Sequence, residues 1–310
     1  MRIVFLGSPD FAVPSLEALA SHYHVVGVVT QPDRPAGRGR RLRPPAVRHA
    51  AHRLSLPVVQ PPRLASPEAL DAIRSWAPDL IVVAAFGQLL RTSLLDLPRL
   101  GCLNVHASLL PRWRGASPVQ AAILAGDATT GVTLMRMDPG LDTGPLLAQR
   151  SIPIAPDDTG GSLAARLADL GAALLLETLP GYVSGSVQPT PQDDTRSAHA
   201  PRLSKADGAL DPTDSAVLLA RKVRAYDPWP GTYVDWQDRR LAILAAHAAP
   251  SSEPRPPGVA VLAGDRPAIT TPDSLLVLDR VQPVGKKPMP GEAFLRGNRE
   301  FLGSTISTPA

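Results

Sequence analysis

Several things are scarce in this 310-residue chain, and each scarcity excludes something. There is one cysteine, Cys102, which rules out an intrachain disulfide framework and any multi-cysteine zinc site. Only four of the 32 basic residues are lysine, so 28 are arginine, the side chain whose planar fork suits phosphate and carboxylate. Asparagine occurs twice, at Asn104 and Asn298. No apolar run approaches the ~18 residues of a membrane-spanning helix. The most apolar stretch, 163–183, carries Arg166, Asp169 and Glu177. Ile3-Val4-Phe5-Leu6 gives way at once to Gly7-Ser8-Pro9-Asp10 and is too short for a secretory leader, so a cytoplasmic protein with no membrane partner is expected. That turn also lacks the G-x-G-x-x-G fingerprint, and its proline argues against a dinucleotide site; a Walker lysine motif is missing too.

Proline is plentiful, at 35 residues beside 24 glycines, which speaks for many turns and against a helical bundle. With 44% hydrophobic residues, the length suffices for a well-buried core and about two domains. Apolar patterning over the first half predicts strands at 2–6, 25–30, 58–60, 80–85, 101–106 and 131–137. Helices are predicted at 11–20, 45–54, 68–76 and 117–125. This alternation implies an α/β fold with a mostly parallel sheet, and ligands in such folds bind beyond the carboxyl ends of the strands. A helix over 162–179 follows, then a polar, proline-bearing linker near 189–201. Beyond it, a helix at 215–224 precedes short runs at 232–236, 241–245, 258–262, 267–271 and 275–281, the pattern of a small antiparallel barrel or sandwich.

Three clusters could carry chemistry. Asn104 and His106 lie two apart on the strand 101–106 and so share a face. An amide donor beside an imidazole suits acyl transfer: the amide can stabilise an oxyanion, and the imidazole can move protons near neutral pH. A polar strand end that caps neighbouring backbone reads equally well from so short a motif. Asp138 and Asp142 stand among glycines just past the strand 131–137, on the expected side of His106. They are either turn residues or carboxylates able to orient the imidazole. One histidine with two aspartates makes a poor metal site. The third cluster is 34–43, with five arginines (Arg34, Arg38, Arg40, Arg41 and Arg43) and two glycines; no acid occurs until Glu68. It is either a solvated loop or a grip on a phosphate-rich partner. Lys286 and Lys287 form a smaller basic pair near the end of the chain.

Taken together, these stretches resemble the methionyl-tRNA formyltransferase family. The resemblance rests on Gly7–Ala12, the run from Gln31 to Gly39, Asn104–Gly115, Asp138–Gly144, Arg224–Pro230 and the final Gly-Lys-Lys-Pro-Met at 285–289. It implies a Rossmann-like formyltransferase domain at 1–188, a linker at 189–203 and an OB-like barrel binding tRNA at 204–310. It implies formyl transfer from 10-formyltetrahydrofolate to the α-amino group of methionyl initiator tRNA, without a metal and by a monomer. Asn104, His106 and Asp142 would then be catalytic. Ser108, Leu109, Leu110 and Pro111 would line the folate pocket with Phe86, Gly87, Gln88, Leu89 and Leu90. The arginine cluster and Lys286–Lys287 would hold the tRNA. A formyltransferase acting on a small amine would share the catalytic trio without needing the arginines.

Overall fold

The computed structural model describes residues 1–36, 41–237, 239–251 and 255–308. Its first half alternates as the sequence predicts. In chain order come β1 (Arg2–Gly7), α1 (Val13–His22), β2 (His24–Val29), β3 (Arg34–Ala36), β4 (Arg41–Arg43), α2 (Ala46–Arg53) and β5 (Val58–Val59). Then follow α3 (Pro67–Ser75), β6 (Leu80–Ala84), α4 (Thr92–Leu95), β7 (Cys102–His106), β8 (Arg114–Gly115), α5 (Pro118–Ala125), β9 (Thr129–Arg136) and β10 (Leu146–Pro153). A long helix, α6 (Gly160–Ser184), and a short strand, β11 (His199–Ala200), complete this part. The chain divides into two compact units. The first comprises Met1–Pro118, Thr129–Pro153 and Leu163–Pro201; the second comprises Val119–Ala128, Ile154–Ser162 and Arg202–Ala310.

In the first unit a seven-stranded sheet runs in the order β10-β9-β7-β6-β1-β2-β5. Ladders joining β7, β6, β1, β2 and β5 are parallel, as expected; β9 and β10 are antiparallel additions at one edge. Ile3, Val4, Phe5 and Leu6 of β1 are fully buried, as a central strand covered on both faces requires. The helix α3 starts where its sequence says it should: Ser66 Oγ accepts the Ala69 amide hydrogen, Pro67 takes the first turn and Glu68 meets the positive end of the helix dipole. Helix α6 runs past its predicted end at 179 through Pro180, so packing of its apolar face (Leu163, Leu167, Leu174, Leu175 and Leu179 all buried) outweighs the local cost of proline.

The second unit takes in α5 and residues 154–162, which the expected boundaries assign to the first domain. Arg221 donates to the Ala125 carbonyl at 3.4 Å and Arg224 to the Asp158 carbonyl at 3.0 Å, tying these segments to α7 (Ala216–Ala225). Five strands follow, β12 (Thr232–Trp236), β13 (Arg239–Ala249), β14 (Ala260–Ala263), β15 (Arg266–Thr270) and β16 (Leu275–Pro283). They pair antiparallel in the order β12-β13-β16-β15-β14; β17 (Met289–Pro290) adds to β16, and α8 (Gly291–Gly297) closes the series. The expected barrel is not closed: no ladder joins β12 to β14 among the described residues. Instead the tail ties both edges by single bridges, Asp235 with Ser307 and Val259 with Thr305. The core gathers Trp236, Phe294 and Phe301, with ring centroids 5.2–5.7 Å apart and edge-to-face.

Candidate active site

The centre of the site is β7. Asn104 and His106 are 8% and 6% exposed and project from the same face of the strand. The Asn104 side-chain amide donates to Asp142 Oδ1 at 3.3 Å, and Gly115 N–H donates to Asp142 Oδ2 at 2.9 Å. His106 Nδ1 stands 3.6 Å from that second oxygen, close enough to pair as charges and too far for a hydrogen bond. The other ring nitrogen, Nε2, lies 3.0 Å from the Trp113 carbonyl. A carbonyl can only accept, so Nε2 carries the hydrogen and the lone pair of the neutral ring sits on Nδ1, beside Asp142. Any proton that His106 takes up therefore arrives next to a carboxylate.

Asp142 reaches this place by a route the sequence reading did not foresee. Because β9 runs antiparallel to β7, its carboxyl end lies beside Cys102 rather than His106, with Met137 N–H donating to the Cys102 carbonyl at 2.8 Å. Residues 137–145 are the connection of the β9–β10 hairpin, and they turn back toward the face carrying Asn104 and His106. The turn requires Asp142 to adopt φ of 53°, a left-handed conformation that costs a non-glycine residue ~1–2 kcal/mol and persists only where its surroundings hold it. Asp138 is instead a turn residue: its carboxylate accepts from Gly140 N–H and from the Thr143 hydroxyl.

The loop after β7 is equally determined. Ser108, fully buried, donates to the Arg112 carbonyl at 2.6 Å and so closes its own turn. Thr133 on β9 donates to the Ser108 carbonyl and accepts from Leu110 N–H, while Gln149 on β10 donates to the Leu110 carbonyl. At the loop's end Gly115 has φ of 119°, and a Cβ there would stand 2.4 Å from the Ala200 carbonyl oxygen; only glycine permits this pairing of β8 with β11.

A formyl transferase family model matches residues 1–179, and a formyl transferase C-terminal domain model matches 202–299. The chain belongs to the formyl transferase family. It is 50% identical over 307 residues to a methionyl-tRNA formyltransferase of Halorhodospira halophila, covering 98% of this chain and 99% of that one. A methionyl-tRNA formyltransferase of Chloroflexus aggregans is 48% identical over 300 residues, 96% of this chain and 97% of its own. Among solved structures, a sugar 3N-formyl transferase determined with dTDP and 5-N-formyl-THF superposes with a TM-score of 0.66. At 18% identity over 93% of this chain and 99% of that one, it speaks to the fold alone.

The remaining residues implied by the family fall as follows. Phe86 and Leu90 are buried in the core with Val4, Leu6 and Val83, and the Phe86 carbonyl accepts from Ser8 and Gln31. Gly87 takes a positive φ, Leu89 is 74% exposed, and Gln88 accepts the Leu64 amide hydrogen through Oε1 while its buried Nε2 has no partner among the described residues. Leu110 is buried; Leu109 and Pro111 are half-buried. Of the arginines, Arg38 and Arg40 lie outside the described residues, and Arg41 is described by its backbone. Arg34 and Arg43 are exposed and face each other across the β3–β4 ladder, with Arg34 donating to Gln31 Oε1 at 3.0 Å. The root of that hairpin is pinned by Asp33, which accepts from Arg48 at 2.5 Å and Gln60 at 2.8 Å; the Arg48 guanidinium, then Gln60, hold its carboxyl below the usual carboxylate range. Lys286 and Lys287 lie exposed in the turn after β16. Among the described residues no group of three His, Cys, Asp or Glu side chains converges as a metal site would require, and no helix is long and apolar enough to cross a membrane. Sequence reasoning missed the Gly115 amide, the Trp113 carbonyl, Thr133, Gln149 and, from the supposed linker, Gln192; all act through hydrogen bonds that leave no mark on composition or periodicity.

Proposed function

We infer that the chain transfers a formyl group from 10-formyltetrahydrofolate to the α-amino group of methionyl initiator tRNA. The observation that carries the chemistry is the convergence of Asn104, His106 and Asp142 on one face of β7, all three largely buried. The acceptor follows from full-length relatives at 48–50% identity that are methionyl-tRNA formyltransferases.

The residues fit a formyl-folate. Gln88 offers a buried, unpartnered donor in the 86–90 turn, and Leu89 and Leu141 stand 74% and 47% exposed. A buried donor and bare apolar side chains suit a flat heteroaromatic ring with polar edges. When bound, the folate supplies the formyl carbon. The chain does the rest by placing charge and protons. The Asn104 amide carries two hydrogens; with one given to Asp142, the other can donate to negative charge developing on the formyl oxygen as the amine attacks. His106 Nδ1, the basic nitrogen of the neutral ring, takes the proton that the amine sheds. Asp142 Oδ2 meets that proton and holds the imidazolium until the leaving nitrogen recovers it.

Arg34 and Arg43 bind the acceptor end of the tRNA. Like charges directly opposite on a ladder repel, and a phosphate between them relieves the repulsion. Arg38 and Arg40 of the same arginine cluster add to this grip, and the second unit serves as a small open barrel whose Lys286–Lys287 turn contacts the tRNA stem. The enzyme works as a cytoplasmic monomer. The test is acceptor competition: methionyl initiator tRNA should be formylled far faster than free methionine or a sugar amine, and equal use of small amines would refute the tRNA reading.

A further inference from the structure

We propose that Gln192 is a positioning residue that holds the Asp142 loop in its working geometry. The proposal rests on the formyl-transfer reading above and extends it to a segment expected to be a mere linker. That segment is bound to the site at every few residues. Thr190 and Leu146 exchange backbone hydrogen bonds of 2.8 Å, fixing one end to the start of β10. Gln192 Nε2 donates to the Asp142 carbonyl at 2.8 Å and the Gly144 carbonyl at 2.7 Å, spanning the left-handed turn. Its Oε1 accepts from Arg114 twice, at 3.1 Å from Nε and 2.8 Å from a terminal nitrogen. The guanidinium also pairs with Asp194 at 2.6 Å. Farther on, Arg114 N–H donates to the Ala198 carbonyl and Ala116 N–H to the Ala200 carbonyl, so β11 lies against β8.

The consequence is that one amide side chain joins both supports of the catalytic carboxylate. It holds the backbone of Asp142 directly. Through Arg114 it also holds the strand whose next residue, Gly115, donates its N–H to Asp142 Oδ2. Releasing Gln192 lets the left-handed turn relax, and the carboxylate leaves Asn104 and His106 without altering either of them.

Two variants test this. Gln192→Ala removes all four hydrogen bonds. Gln192→Glu keeps an acceptor for Arg114 but opposes carboxylate oxygens to two carbonyls, so it should be no better than the alanine variant. Both should lower kcat at least tenfold while KM for methionyl-tRNA stays within twofold, and both should speed hydrogen exchange of the Gly115 amide at least tenfold. Wild-type kcat in either variant would overturn the proposal, as would a fall in kcat matched by a rise in KM and a general loss of protection across the chain. The Gly115 exchange is read without any substrate. If the wild-type chain formylated nothing, the functional reading would fail by itself, and unchanged Gly115 exchange in the variants would separately refute the role of Gln192.

Discussion

Replacing Asp142 by asparagine changes one oxygen for an NH2 group at constant volume, so it opens no cavity and isolates the role of the carboxylate. Asp142 now accepts from Gly115 N–H at 2.9 Å and from Asn104 at 3.3 Å, with His106 Nδ1 at 3.6 Å. An amide cannot serve all of these. If its NH2 group faces Gly115, two donors confront each other in a buried site, at a cost of ~1–3 kcal/mol. If it faces Asn104, the Asn104 amide must turn to present its oxygen, and the donor we assign to the formyl oxygen is lost from its place. Loss of one such donor is worth ~2.7–4 kcal/mol, or ~10²–10³ in kcat. In both orientations the negative charge beside His106 Nδ1 is gone as well. We therefore expect kcat for formylation of saturating methionyl-tRNA to fall ~10²–10⁴-fold, with tRNA affinity unchanged and thermal unfolding lowered by no more than several degrees. Asp138→Asn is the control: among the described residues its carboxylate accepts from Gly140 and Thr143 within the turn, so its turnover should stay within a few-fold of wild type. Asp142→Asn turning over within threefold of wild type, or falling no further than Asp138→Asn, would refute the reasoning.

Arg34→Ala and Arg43→Ala should each weaken tRNA binding and lower the slope of log affinity against log salt by ~0.7–0.9; unchanged slopes would exclude phosphate contact at these positions. Burial pushes the Cys102 thiol up to about 12, so it should not react with a disulfide reagent at pH 8.5 until the protein unfolds. Since this folded value lies above the ordinary 9.0, its contribution to stability is complete below pH ~9 and is lost as pH rises toward 12, and Cys102→Ala should flatten that alkaline decline in chemical denaturation. Phe301→Ala removes two edge-to-face partners, Trp236 at 5.3 Å and Phe294 at 5.2 Å, from a fully buried position. It should cost ~3–5 kcal/mol in denaturant titration; a cost below ~1 kcal/mol would mean that the triad does not anchor the second unit.

What the sequence made legible was what periodicity and residue type encode. β1, β2 and β6 are largely continuous apolar runs because both of their faces are covered, and they lie where those runs predict. Asn104 and His106 were visible because strand alternation puts residues two apart on one face, whatever surrounds them. The features that escaped depend on partners distant in the chain. β10, in Leu146–Pro153, is an edge strand that is only half-buried, so its alternation is faint and its addition to β9 went unseen. That omission hid the antiparallel turn by which Asp142 returns to the site. The 189–201 stretch is mostly exposed, and the few groups that tie it to β8 and the Asp142 loop, the side chains of Gln192 and Asp194 and the backbone of Ala198 and Ala200, leave its composition looking the same as a solvated linker. The arginine cluster read as a loop because arginine carries no strand signal; its hairpin exists through the pairing of 34–36 with 41–43. The second unit's strands were found, yet the openness of their sheet was not, since closure depends on how two edges and a tail meet rather than on any one strand.

The central claim is that Asn104, His106 and Asp142 together move a formyl group onto methionyl-tRNA. Single-turnover transfer of labelled formyl from 10-formyltetrahydrofolate to bound methionyl initiator tRNA, comparing wild type with Asn104→Ala, tests it most directly. The account predicts rapid labelling by the wild-type chain and a rate ~10²–10³-fold lower in the variant at unchanged tRNA affinity. Labelling by Asn104→Ala at the wild-type rate would contradict it.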